Sequence, residues 1–292
     1  MIVSADDFGL SEEVNEAIER ACAEGLLGTA SLMVGGPAAA DAVARARRLP
    51  SLHVGLHLVV IEGAAVLPPD RIPLLVGPDG RFPSDQLALG LRYFFRPDVR
   101  HQLACEIAAQ FEAFASTGLT LDHANAHKHM HLHPTVGRLL IEAGRRHGLR
   151  ALRVPFEPAA PLRAAGTRDT WAAALLRGWT RVLRRQARRA GLLTNDACFG
   201  LAWSGRMTSA RVRALAAHLP EGLNEIYFHP ATSRGTEISQ LMPGYQHRAE
   251  FEALCDPDLR AALNSSGTMP SSWANETAGR EELPARTHGA EG

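Results

Sequence analysis

Along this chain a short apolar strand pattern followed by a helical pattern recurs about seven times, and few architectures accept that order. Strands are expected at Met1–Ala5, Thr29–Val34, Leu52–Val60, Leu119–His123, Leu149–Val154, Cys198–Trp203 and Leu223–Phe228. The first helix has Ser11 as its N-cap, Glu12 and Glu13 in its first turn, Val14, Ala17, Ile18 and Ala21 at helical spacing, and Gly25 as a stop. Further helices are expected over Pro37–Arg48, Pro97–Thr117, Pro134–His147, Thr170–Ala190 and Thr208–His218, with two short ones between His247 and Leu263. Strands that alternate with helices pair in parallel. No Gly-x-Gly-x-x-Gly turn marks a nucleotide fold. The expectation is an α/β fold, a closed or nearly closed (β/α) barrel of about seven parallel strands spanning residues 1–263. The stretches Glu62–Pro83 and Pro155–Gly166 read as long loops that shape the substrate pocket. From Asn264 apolar periodicity gives way to Ser, Gly, Pro, Glu and Thr, so residues 264–292 are expected to form a disordered tail.

The 31 basic and 31 acidic residues cancel, which argues against nucleic acid as a partner, because phosphate backbones are held by excess Lys and Arg. Four scattered cysteines, Cys22, Cys105, Cys198 and Cys255, form no Cys-x-x-Cys pair and indicate neither a thiolate metal site nor a disulfide framework. A reducing cytoplasm is the expected compartment, with at most peripheral contact with the inner membrane. No apolar run is long enough to span a bilayer, and Met1-Ile2-Val3 runs straight into Asp6-Asp7 without the pattern of a signal peptide.

Five of the 13 histidines fall in the eleven residues His123-Ala124-Asn125-Ala126-His127-Lys128-His129-Met130-His131-Leu132-His133. Such a run could be a polar loop that happens to be His-rich. Imidazole is also the commonest metal ligand and titrates near neutrality. The arrangement of the chain favours the second reading. In a parallel barrel the C-terminal ends of all strands meet at one face, where catalytic groups gather. Asp6 and Asp7 end the first expected strand, His57 lies near the end of the third, the histidine run follows the fourth, Arg153 ends the fifth and His229 ends the last. Taken singly, the aspartate pair could cap a helix, His57 could be a core histidine, Arg153 a structural ion-pair residue and His229 a turn residue before Pro230.

Val3-Ser4-Ala5-Asp6-Asp7-Phe8-Gly9-Leu10, Val54-Gly55-Leu56-His57 and His123-x-Asn125-x-His127-x-His129-Met130-His131 resemble the successive motifs of the YdjC-like carbohydrate deacetylases. The resemblance runs from residue 1 to about 263. Within the family, Val60-Ile61-Glu62-Gly63 and the loop Leu67-Pro68-Pro69-Asp70-Arg71-Ile72-Pro73 are most similar to the branch associated with hopanoid biosynthesis. The resemblance implies a distorted barrel related to polysaccharide deacetylases, and one divalent metal ion, Mg²⁺ or Zn²⁺, held by an aspartate and two histidines. Position by position, Asp7, His57 and His127 match the ligands and Asp6 the catalytic base, with the order inside the pair taken from related deacetylases. Asn125 stands where some relatives carry Asp and receives no ligand role. His229 matches a late histidine and is the candidate acid, while Arg153 is placed to pair with Asp6. Relatives also suggest a homodimer.

These residue types suit removal of an N-acetyl group. A metal acidifies water and polarises the amide carbonyl, a carboxylate takes the proton of the attacking water, and an acid protonates the departing amine. The implied substrate is an N-acetylglucosamine unit, with a hopanoid-linked, lipid-borne sugar as the candidate of the narrower match. Two other readings stand beside it. A barrel phosphoesterase would commonly use two metals and recruit more of the histidines. A catalytically silent sugar- or metal-binding subunit would not need the intact Asp6-Asp7 pair. The arginines between Arg181 and Arg189 read first as a solvated helix face, with anionic lipid headgroups as the functional alternative. Trp171, Trp179 and Trp203 read as core residues, or as platforms for sugar rings.

Overall fold

Six parallel strands, β1 (Ile2–Phe8), β2 (Thr29–Leu32), β3 (His53–Leu58), β4 (Leu121–Ala126), β5 (Ala197–Phe199) and β6 (Asn224–Phe228), form one sheet in the order β4-β3-β2-β1-β6-β5. The structure is a computed structural model and describes residues 1–167, 170–265 and 270–281. Around the sheet lie α1 (Glu12–Glu24), α2 (Ala39–Arg48), α3 (Gln86–Phe95), α4 (Pro97–Ser116), α5 (Pro134–Arg146) and α6 (Ala159–Ala164). They are followed by α7 (Trp171–Arg189), α8 (Ser209–Ala216), α9 (Thr236–Leu241), α10 (His247–Leu254), α11 (Pro257–Ser265) and α12 (Trp273–Glu281).

The expected strand at 149–154 is no regular strand, and this is where the barrel is distorted. Its backbone still bridges the sheet's two edges. Ala124 N–H donates to Ala151 O and Arg153 N–H to Ala124 O, both at 3.1 Å, while Cys198 N–H donates to Phe156 O at 2.8 Å. On its other side the Asn195 side chain replaces a strand, accepting from Val154 N–H and donating to Val154 O at 2.8 Å each. Backbone groups buried here are thereby satisfied without a ladder.

Period-two alternation sorts the strand residues. Val3, Ala5, Val54, Leu56, Ala124, Ala126, Ile226 and Phe228 enter the apolar core against the helices. Ser4, Asp6, Ser31, His57, His123, Asn125 and Glu225 point the other way and are all buried. They meet one another in the barrel interior through the hydrogen bonds described below. Gly55 shares this inner face because His123 fills the space beside it, and a Cβ there would stand 2.3 Å from His123 Nδ1.

One stretch without an expected element holds a helix, and two expectations need correction. The segment ahead of Pro97 holds α3, capped by Asp85, whose side chain accepts from Ala88 N–H at 2.9 Å. Pro155–Gly166 is not wholly irregular but contains α6. The tail expected to be disordered from Asn264 is built into the fold as far as residue 281. Ser271 N–H donates to Met1 O at 2.7 Å, Ala274 N–H donates to Asp122 Oδ1 at 2.8 Å, and Trp273, fully buried, stacks on His123 with ring centroids 5.9 Å apart. One buried indole offers enough apolar surface to order a segment whose average composition is polar. Residues 266–269 and 282–292 of that tail lie outside the described residues.

Candidate active site

Both aspartates of β1 reach the same pocket because the strand bulges between Ala5 and Phe8, where its register against β2 shifts. In an unbroken strand Asp6 and Asp7 would face opposite sides of the sheet. Asp7 instead adopts φ +64°, a left-handed conformation that costs a non-glycine residue roughly 1–3 kcal/mol. Among the described residues the other positive-φ residues that are not glycine are Glu62, Lys128 and His129, in loops beside the same face. The Lys128 ammonium and the Glu62 carboxylate lie 2.5 Å apart.

Asp7 Oδ1 lies 3.3 Å from His57 Nε2 and 3.1 Å from His127 Nδ1, and all three side chains are buried. One ligand atom from each falls within 4.8 Å of the others. Asp7 Oδ2 is buried with no hydrogen-bond partner among the described residues. The tautomer of His57 follows from its neighbours. Asn125 Nδ2 donates to Asp6 Oδ1 (3.1 Å) and Ser31 Oγ (2.9 Å), which leaves Asn125 Oδ1 to accept from His57 Nδ1 at 2.7 Å. A neutral His57 therefore turns the Nε2 lone pair toward Asp7 Oδ1. The His57 lone pair, with His127 Nδ1 beside the same buried carboxylate and its spare oxygen, suits a cation, and two imidazoles with one carboxylate are the donor set of many divalent metal sites. Burial opposes charge on His57, yet Asp6 and the hydrogen bond that a protonated ring would donate to Asp7 outweigh it and raise its pKa above 6.5. For Asp7, burial is likewise outweighed, by His127 and His57, and its carboxyl is held well below the usual range.

Asp6 belongs to a second, fully buried cluster. Arg153 Nη1 lies 2.5 Å from Asp6 Oδ2, Arg153 Nε and Nη2 donate to Glu225 Oε1 at 3.0 and 2.8 Å, and Nη2 also donates to Ser4 Oγ at 2.9 Å. The guanidinium sits 4.8 Å over the Tyr227 ring. Burial alone would push Asp6 toward its neutral form, but Arg153 first and His57 next hold it ionised far below the usual carboxylate range.

The remaining histidines divide. His131 donates from Nε2 to Arg153 O at 3.0 Å, which fixes the backbone that carries the arginine, and burial together with Arg153 lowers its pKa to about 3. His129 Nε2 meets Tyr227 Oη at 3.0 Å. His133 packs edge-on against Tyr93 and Phe94, away from the aspartates. His229 follows β6, its N–H held by Glu250 Oε2 at 2.5 Å and its carbonyl accepting from His247 Nδ1 at 2.7 Å. Burial lowers the His229 pKa to about 4 although Asp7 and Asp6 pull the other way, so its imidazole is neutral at pH 7. All six residues singled out from the sequence, Asp6, Asp7, His57, His127, Arg153 and His229, thus gather at one end of the barrel.

Two partners, Glu225 and Ser31, escaped the sequence reading, and Asn125 was noted there without its role beside His57. Glu225 balances Arg153 and was visible only as a charged residue inside an apolar strand. Asn125 and Ser31 orient His57, and neither residue type announces itself. Trp203 is buried as expected of a core residue, whereas Trp171 and Trp179 are exposed.

The sequence model of the family described as YdjC-like protein matches residues 1–265. A carbohydrate deacetylase of Geobacillus stearothermophilus is 32% identical over 270 residues, covering 92% of this chain and 94% of that protein. A human carbohydrate deacetylase is 31% identical over 295 residues, covering 92% of this chain and 88% of that protein. Among solved structures, an Enterococcus faecalis V583 protein described as a cellobiose-phosphate cleavage protein superposes with a TM-score of 0.72 at 22% identity, over 94% of this chain and 97% of the other. The motifs around Asp6-Asp7, His57 and His127 thus stand within a match that spans nearly the whole described chain, and the chain belongs to the YdjC-like family.

Proposed function

We propose that this protein is a metal-dependent carbohydrate deacetylase that hydrolyses the N-acetyl group of an amino sugar. The observation that carries the reading is the division of labour between adjacent aspartates. Asp7 faces His57 and His127 with an oxygen to spare, and Asp6 is held ionised beside them by Arg153.

Asp7, His57 and His127 would hold the divalent ion, Zn²⁺ or Mg²⁺, which when bound supplies polarisation of the acetyl carbonyl and acidification of water. Asp6 accepts the proton of the attacking water as the oxygen bonds to the acetyl carbon. Arg153 keeps that carboxylate charged and aimed, and Glu225 keeps the guanidinium from being a lone buried cation. The carbon–nitrogen bond then breaks, and the departing nitrogen needs a proton because an amide anion leaves poorly. His229 serves this step. Being neutral at rest, it must first receive the proton that Asp6 took from the attacking water, which returns Asp6 to its ionised form, and then pass it to the amine. Acetate and a free amine result.

A two-metal phosphoesterase would call His129 and His131 to the metals, but among the described residues the ligand atoms that converge within 4.8 Å of one another are those of Asp7, His57 and His127. The substrate we favour contains N-acetylglucosamine, and the resemblance at Val60–Gly63 and Leu67–Pro73 makes a hopanoid-linked sugar the first lipid conjugate to try. Purified protein supplied with Zn²⁺ or Mg²⁺ is expected to release acetate from N-acetylglucosamine conjugates. Release of phosphate from esters with no acetate from any such conjugate would sink the proposal.

A further inference from the structure

Two helices beside the active site leave large apolar side chains in water. On α3, Leu87, Leu91, Phe94 and Phe95 form one stripe and are 74, 52, 47 and 69% exposed, while Leu89 and Tyr93 on the opposite side are buried. The helix is anchored in that attitude, since Tyr93 Oη donates to Val60 O at 2.8 Å and Arg92 binds Leu74 O. On α7 the exposed residues Trp171, Leu175, Trp179 and Val182 recur every three or four positions along one face, and Arg185 and Arg189 continue the same stripe. The two helices wall a groove of about 810 Å³ floored by Lys128, His129 and Met130, so the apolar walls lead directly to the histidine segment.

Charge narrows what could cover this face. Neither helix contains an acidic residue. Arg181, Arg185, Arg188 and Arg189 are exposed and have no carboxylate partner among the described residues. A second copy of the chain meeting this face through a two-fold contact would bring only apolar and cationic groups, leaving the arginines unpaired. An anionic bilayer offers both chemistries at the right heights, phosphates for guanidinium groups and acyl chains for the apolar crest.

We propose that α3 and α7 form a surface that seats the protein on an anionic membrane, with Leu87, Leu91, Phe95, Trp171 and Trp179 entering the headgroup–acyl boundary and the arginines of α7 on the lipid phosphates. In this pose the groove opens the active site toward the bilayer, and a substrate anchored there reaches His129 without leaving it. The surface stands independently of which bond the enzyme cleaves.

The test uses the full chain with vesicles of phosphatidylcholine alone, and of two parts phosphatidylcholine to one part phosphatidylglycerol. Of the four tryptophans, Trp203 and Trp273 are buried, so emission changes report on Trp171 and Trp179. Anionic vesicles are expected to bind the protein, shift its emission to the blue and allow quenching by brominated acyl chains. Leu91→Asp with Phe95→Asp should remove the quenching. Arg185→Glu with Arg189→Glu should weaken binding by at least about 25-fold, at roughly fivefold per arginine, and abolish the preference for anionic lipid. Absence of vesicle binding, binding unchanged in both double variants, or a dimer that Leu91→Asp with Phe95→Asp dissociates while vesicles have no effect would each overturn the proposal. Binding is read without turnover, so a failed deacetylase assay leaves this result standing on its own.

Discussion

Asp6 and Asp7 are neighbours in sequence with different partners, and the partners decide their chemistry. Replacing Asp6 by Asn is expected to leave metal binding intact and to cut turnover by about 10²–10⁴, the usual span for loss of a general base. His57→Ala should lose both, and metal analysis of the two purified variants checks the split; full metal occupancy in His57→Ala would remove it from the ligand set. Asn125 supports the same site from behind. By accepting from His57 Nδ1 it fixes the nitrogen that faces Asp7, so Asn125→Ala is expected to weaken metal binding about 10–100-fold. Isothermal titration with Zn²⁺ reads this directly, and unchanged affinity would show that the ring needs no such guide. The acidic and imidazole groups were legible in the sequence because each ends a strand of a recognisable barrel. The rotation of Asp7 was not, since it depends on a bulge set by pairing between β1 and β2. Glu225 was not legible either, because its reason for being buried is an arginine 72 positions earlier in the chain.

At the scale of elements, six of the seven expected strands and the longer helices were readable from periodicity, whereas α3, α6, α9 and α12 were missed. All four are short, and α3 carries apolar residues on its solvent side, so its pattern lacks the contrast that marks an amphipathic helix. The α12 segment is polar apart from Trp273, and its order comes from a tertiary contact. Trp273 stacks on His123, and Ala274 N–H binds Asp122, the residue before it. His123 in turn meets Ser31 Oγ at 3.0 Å, and Ser31 accepts from Asn125, the residue that orients His57. Trp273→Ala is therefore expected to cost about 3–5 kcal/mol of stability, as for other buried aromatic truncations. Urea denaturation checks the stability loss; a cost within 0.5 kcal/mol of zero, the usual size of a surface substitution, would mean that the segment is not a structural part of the barrel floor.

Across the whole molecule, α10 is tied to the catalytic face by one buried carboxylate. Glu250 accepts from Met207 N–H at 2.8 Å and from His229 N–H at 2.5 Å, so it joins helix, loop and the end of β6. Burial raises its pKa to about 7 against an ordinary 4.5, because the two hydrogen bonds compensate only part of the lost hydration. The folded state thus binds this proton more tightly than the unfolded chain does. The stabilisation is fully present below pH 4.5 and is lost as pH rises through 7, to a total of about 3 kcal/mol from this single group. Glu250→Gln cannot titrate and loses one backbone acceptor at every pH, which adds a constant offset. Comparing the two proteins cancels the other titrating groups. Relative to Glu250→Gln, the parent protein is expected to lose about 3 kcal/mol between pH 4.5 and pH 8, most steeply between pH 5 and 7. Urea midpoints measured across that range with a chelator present test it. Parallel pH profiles for parent and variant would show that Glu250 carries its charge in the folded protein at no cost, and that the link between α10 and His229 is insensitive to pH.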